Sequence, residues 1–133
     1  MIISMPLFVI RPRKTKADVK MIFNLNNYRN WYYRYSNWAK QEYADIARAR
    51  LGNFKALPGQ RIGLTFTLYR VDRRKGDRAN VLCIHEKFFC DAMEKAGTIP
   101  NDNDDNIAWT HYQTGPIDKI NPRVEITITP EVP

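Results

Sequence analysis

Residues 76–105, GDRANVLCIHEKFFCDAMEKAGTIPNDNDD, decide how this chain is read. Ile84, Phe88 and Met93 give much of the apolar remainder of a helical pattern, and Gly97 stands where a helix C-terminus favours glycine. A helix is therefore predicted over Asn80–Ala96. Asn80, Lys87, Asp91 and Glu94 fall at steps of seven, four and three residues, so they share its polar face. Carboxylates bracket it. Asp72 and Asp77 precede it, and Asp102, Asp104 and Asp105 follow. The chain as a whole carries a formal net charge of +7, so carboxylates gathered at both ends of one helix need a reason.

Working outward, Met1–Ile10 is predicted as a strand, with RPRKTK (11–16) as a basic loop after it. Asn24–Arg50 is predicted as one long helix, with Asn26 or Asn27 as its N-cap. Leu51–Arg61 contains Gly52, Pro58 and Gly59 and is expected to be a loop. Ile62–Val71 alternates apolar and polar residues as a half-buried strand does. Asn106–Gln113 and Arg123–Thr129 are two further strands, with a Gly115-Pro116 turn between them. The order β-α-β-α-β-β predicts a single α+β domain over 1–133, its two main helices packed on a mixed or mostly antiparallel sheet.

The length of 133 residues is enough for one core without staples. No apolar run approaches the ~18 residues of a membrane span. The opening residues lack a basic leader and a small-residue cleavage site, which favours a strand over a signal peptide. Cys83 and Cys90 lie about 10 Å apart along one helix and cannot bridge, which suits a reducing, cytoplasmic setting. The charge is uneven. Residues 1–50 carry ten Lys/Arg and three acids, whereas residues 51–133 carry eleven of each. A basic first half calls for a polyanion, with nucleic acid ahead of an acidic membrane surface. A solvated basic face that only aids solubility is the plainer alternative.

Several chemistries are excluded. HEKFFC is not the His-Glu-x-x-His zinc motif, and the two cysteines and two histidines lack zinc-finger spacing. NDNDD has no Gly at the sixth position of a calcium loop and no glutamate where one is needed. No glycine-rich phosphate loop or Ser/His/Asp arrangement is present. In the first helix Tyr28, Trp31, Tyr35 and Trp38 form a stripe that reads first as core. Arg29, Arg34 and Lys40 mostly avoid that stripe and are free for phosphates. The acids support two readings. Converging carboxylates on a basic surface suit a hard, oxygen-ligated Mg²⁺ or Mn²⁺ and hence phosphodiester hydrolysis. Alternatively Asp77 caps the helix, Lys87 and Asp91 form an i,i+4 pair, and NDNDD is a polar turn.

Five segments, spread over roughly residues 20–130, resemble the RusA family of Holliday-junction resolvases, phage-type members in particular. DRRKGDRAN (72–80) is similar to its Asp-x-Asp-Asn motif with a basic lead-in. EKFFCDAMEKAGTI (86–99) resembles the following helix, Lys-x-x-x-Asp-Ala-Leu-x-x-Ala-Gly. NDND (101–104) resembles the closing acidic pair, DKINPRVEITI (118–128) the last strand, and NNYRNWYYR (26–34) the start of the first helix. The resemblance implies a homodimeric, Mg²⁺-dependent endonuclease that nicks opposing strands of four-way DNA junctions, with no membrane partner. Asp77, Lys87 and Asp102 take the catalytic positions. Asp77 and Asp102 are the metal ligands, and Asn80 and Asp91 support the site. Arg11, Arg13, Lys14, Lys16, Arg29, Arg34, Lys40, Arg73, Arg74 and Lys75 are the expected phosphate contacts. Two departures matter: Ala79 stands at the motif's second aspartate and Asn101 at the first of the closing pair. An extra stretch also moves Lys87 by about one helical turn. Either Asp72 supplies the missing ligand, or the chain is a weakened or inactive enzyme that still binds branched DNA. A basic protein-interaction module is a third possibility.

Geometry adds one expectation. The predicted helix is about 25 Å long, and the few residues before Asp102 retrace at most ~20 Å. One chain therefore has difficulty bringing Asp77 to Asp102. A twofold dimer with antiparallel second helices places Asp77 of one subunit beside Asp102 of its mate, giving two composite sites.

Overall fold

The computed structural model describes residues 1–74 and 76–132; Lys75, one of the expected phosphate contacts, lies outside the described residues. The chain folds as β1 (Ile2–Met5), β2 (Phe8–Arg11), β3 (Val19–Ile22), α1 (Leu25–Asn30), α2 (Tyr33–Leu51), β4 (Ile62–Tyr69), α3 (Arg78–Ala96), β5 (Ile107–Thr114) and β6 (Arg123–Pro130). It is a mixed α+β architecture. A four-stranded sheet has the order β1-β6-β4-β5, and β2 and β3 form a separate hairpin. β6 pairs antiparallel with both β1 and β4, while β4 and β5 run parallel.

Alternation holds in β1 and β6, but the central strand β4 is covered on both faces, with Gly63 under Trp109 and Thr67 also buried, and is not the half-buried strand that was expected. Ile62, Leu64, Phe66 and Leu68 of β4 are buried, as are Val124, Ile126 and Ile128 of β6 and Ile3 and Met5 of β1. α2 packs on α3 and β1, and α3 packs on β4 and β5. α2 meets its neighbours through Ala39, Ala44 and Ala47, whose small side chains let the helices approach closely. α3 inserts Leu82, Phe88, Phe89 and Met93 into the core.

Five expectations are corrected. The single strand over Met1–Ile10 is two strands, parted near Pro6, which has no N–H to give to a ladder. The second of these pairs with a strand at Val19–Ile22, where none was expected. The long helix is also two. Trp31 (φ −72°, ψ 135°) and Tyr32 (φ −58°, ψ 137°) are extended and separate α1 from α2. Neither Gly nor Pro marks the break; the signal is a run of aromatic residues, which are weaker helix formers. The N-cap of α1 is Asn24, not Asn26 or Asn27: its side chain accepts from the Asn27 N–H at 2.7 Å. α3 begins at Arg78, two residues before the expected start, and ends at Gly97 (φ 75°) as expected.

An aromatic box joins hairpin and helices. Phe23 meets Tyr43, His85 and Phe88 edge-on at 5.1, 5.6 and 5.8 Å. The Tyr43 hydroxyl and His85 Nδ1 share a 2.8 Å hydrogen bond, and both residues are fully buried. Burial drives the His85 pKa down to about 3, so the imidazole is neutral in the fold.

This has a measurable consequence. Unfolded chain binds a proton at His85 near pH 6.5, whereas the folded chain does not until about pH 3. Stability contributed by the neutral ring is present above pH 6.5 and lost as pH falls through that window. His85→Gln removes the titration and should flatten the stability profile between pH 6 and 4, by up to about 1.4 kcal/mol per pH unit. Urea melts of both proteins across this range check it; identical slopes would show that His85 does not set the acid sensitivity.

Candidate functional site

The parallel pairing of β4 and β5 positions the candidate groups. A crossover helix between parallel strands must run back along the whole sheet. α3 does so, with Asp77 at its start and Asp102 in the loop beyond its end.

At the start, Asp77 caps α3, its carboxylate accepting from the Ala79 N–H at 2.9 Å. The Asn80 side-chain oxygen accepts from the Asn26 N–H at 3.2 Å and ties α3 to α1. Leu25, Asn26, Asp77, Ala79, Asn80 and Cys83 line an open cleft of about 530 Å³. Ala79 offers this cleft a methyl group and no ligand. Asp72 lines a different cleft, with Leu7, Phe23, Leu68 and Val81 among its walls. Its carboxylate accepts from the Arg74 N–H at 3.0 Å and lies 3.4 Å from the Arg74 side chain.

At the far end, Asp91, Glu94 and Asp102 can bring one carboxylate oxygen each within 4.8 Å of one another. Asp91 is also 2.6 Å from Lys40 Nζ on α2. Lys40 is thus an internal counter-charge and not the free phosphate contact that was expected. The i,i+4 pair between Lys87 and Asp91 does not form. Lys87 instead lines a cleft of about 260 Å³ together with Glu86, Cys90, Asp102, Asp104 and Trp109. Glu86 accepts a short hydrogen bond from Tyr112 of β5. Burial first, and then this bond, hold the Tyr112 hydroxyl well above its usual pKa. The Cys90 thiol is pushed up to about 12 by burial and by the charges of Glu86, Asp102 and Asp91. Burial also raises Cys83, so neither cysteine is poised as a nucleophile.

Lys87 and Asp102 therefore share a cleft, and Asp77 with Asn80 occupies another. Asp91 lies about 21 Å along the helix axis from Asp77, at ~1.5 Å per residue. One chain does not unite Asp77 with Asp102. The donor set near Asp102 is all carboxylate, which suits a hard divalent cation such as Mg²⁺ or Mn²⁺. A single chain offers the Asp77 end one carboxylate and an amide.

The basic residues fall at three places. Arg13, Lys14 and Lys16 are exposed in the loop joining β2 to β3, with Arg13 donating to the Ala17 carbonyl at 2.7 Å. Arg11 of β2 stacks on Tyr35 of α2, 3.6 Å from its ring centre, which joins this hairpin to Arg34 at the start of α2. Arg29 is exposed on α1. Arg73 and Arg74 are exposed before α3. Sequence reasoning missed Glu86, because its partner Tyr112 is 26 residues away and only the sheet brings them together. It also missed Trp109, whose indole covers Gly63: a Cβ there would sit 2.0 Å from the ring.

The chain matches no known family model and no curated protein. No helix among the described residues is long and apolar enough to cross a membrane.

Lys40→Met tests the electrostatics of the far end. It should leave Asp91 unneutralised and tighten Mn²⁺ binding several-fold, with only about 0.2–1 kcal/mol lost from folding because the pair is partly exposed. Calorimetric titration with Mn²⁺ reads the change; unaltered affinity would mean that Lys40 does not oppose cation binding at the cluster, and no heat in either protein would mean that the cluster does not bind Mn²⁺.

Proposed function

We propose that this chain is a RusA-like, divalent-metal-dependent endonuclease that acts on branched DNA, with the four-way junction as substrate and a homodimer as the working unit. The observation that carries the reading is the placement of Asp77 and Asp102 at opposite ends of α3, with Lys87 beside Asp102. Two antiparallel copies of α3 then form two equivalent sites, each combining Asp102 and Lys87 of one subunit with Asp77 of the partner subunit. Two symmetric nicks need two such sites. The setting is the cytoplasm of a bacterial or phage-infected cell.

In each site Asp102, helped by Asp91 and Glu94, would hold Mg²⁺ or Mn²⁺ together with the partner's Asp77. When bound, such an ion lowers the pKa of a water and offsets phosphate charge. The chain's own groups do the rest. Lys87 places an ammonium in the Asp102 cleft, where it stabilises charge that develops on the phosphate oxygens. Water adds to phosphorus as one P–O ester bond breaks, and the departing oxygen takes a proton. The basic first half holds the DNA arms through phosphate contacts that fix position without reading sequence.

Ala79 favours a second reading: a branched-DNA-binding protein with weakened or lost catalysis. Asp72 does not relieve the deficit readily, because its carboxylate is engaged by Arg74 outside the Asp77 cleft.

Junction-nicking gels with Mg²⁺ or Mn²⁺, beside junction binding in EDTA, separate the readings. Asp77→Asn and Asp102→Asn should each lower nicking by roughly 100-fold or more and leave binding intact. Asparagine caps a helix as well as aspartate does, so Asp77→Asn changes charge without unseating α3. Lys87→Ala should slow nicking without weakening Mn²⁺ binding. Full activity in Asp102→Asn would sink the site. Junction binding without nicks, with activity gained in Ala79→Asp, would establish the second reading.

A further inference from the structure

The break between α1 and α2 turns aromatic residues in opposite directions. Tyr28 and Trp31 pack inward against Phe88 and Phe23. Tyr32, Tyr33 and Tyr35 point outward and are 52%, 59% and 42% exposed. The Tyr32 ring lies 4.8 Å from Tyr33 and 5.4 Å from Tyr35, so the three form one continuous cluster. Guanidinium groups flank it: Arg34 lies 5.8 Å from the Tyr33 ring centre and Arg11 3.6 Å from that of Tyr35. Among the described residues neither arginine is paired with a carboxylate, and the first turn of α2 carries no acid. An exposed aromatic cluster of this kind serves contact with a partner.

We infer that Tyr32, Tyr33 and Tyr35 form a stacking platform for unpaired DNA bases, with Arg11 and Arg34 holding the adjoining phosphates. This rests on the DNA-directed reading above and gives that reading a preference for unstacked nucleotides. Every base has a π face that a tyrosine ring can meet, but a duplex conceals those faces within its stack. Intact duplex would meet only the arginines, through its phosphates. A junction centre or strand end exposes bases, and there the rings have a role. A protein partner fits less well, because the cluster is ringed by unneutralised positive charge.

The test is fluorescence anisotropy in EDTA with a labelled oligothymidine and a duplex of equal length. Tyr33→Ala and Tyr32→Ala should each weaken single-strand binding by about 5- to 100-fold and leave duplex binding nearly unchanged. Tyr32→Phe should keep single-strand affinity, because stacking needs the ring and not the hydroxyl; the Tyr33 hydroxyl, by contrast, accepts from Arg34 Nε at 3.2 Å. Thermal melts confirm that the variants fold, as expected for side chains this exposed. Alanine variants that bind single strands as tightly as the wild type would overturn the platform. So would equal losses on both DNAs. A wild type that binds neither DNA at low salt would overturn it too, leaving the tyrosines as a protein-contact surface. Junction nicking by the same preparations keeps the two ideas apart. Wild-type protein that binds single strands through the tyrosines but never nicks junctions retains the platform and loses the nuclease. Nicking by a protein whose single-strand binding ignores the tyrosines does the reverse.

Discussion

Strands β4 and β5 run parallel, and that pairing obliges the chain to cross the full sheet between them. α3 makes the crossing. Its length then follows from the strands it must span, and the residues at its two ends are held apart by the same distance. The separation of the two carboxylates follows from the topology, which sets them beyond opposite ends of α3. A second subunit is the economical way to bring such groups together, because a twofold axis across α3 sets the start of one helix beside the end of the other.

The core makes that crossing rigid. Phe88 and Phe89 project from consecutive positions into the aromatic box and against Phe66 of β4, so α3 is gripped from both sides. On the outer side Lys40 reaches from α2 to Asp91 and offsets part of the negative charge beside Asp102. Packing on these two sides leaves a third face of α3 open to solvent. There Asn80, Cys83, Lys87 and Glu94 border the clefts or the acidic cluster. The basic surface lies elsewhere, on the β2–β3 hairpin and the start of α2, where Arg11 and Tyr35 join the two elements.

Much of this was legible in the residues. The alternation of IGLTFTLY and the Gly97 terminus placed β4 and α3 within two residues of their observed bounds. What escaped was set by tertiary contact. The β2–β3 hairpin depends on pairing across a basic loop that has no turn signature. The break at Trp31–Tyr32 arises where Trp31 turns inward to Phe23, and only a run of weaker helix formers, with no Gly or Pro, marks it. At the site, the helical phase gave the shared face of Asn80, Lys87 and Asp91. It could not reveal that Lys40 would claim Asp91, or that Tyr112 would bond Glu86, because both partners come from other elements.

The shared site is tested most directly by mixing two inactive proteins. Asp77→Asn and Asp102→Asn subunits are unfolded and refolded together, and nicking of a four-way junction is measured against each variant alone. In a mixed dimer with shared sites, one site loses both aspartates and the other keeps both. Single-strand nicking should therefore return, while paired resolution should not. If each site is built within one chain, every site in the mixture lacks an aspartate. A mixture as inactive as its components, with mixed dimers shown to form, would contradict the shared site.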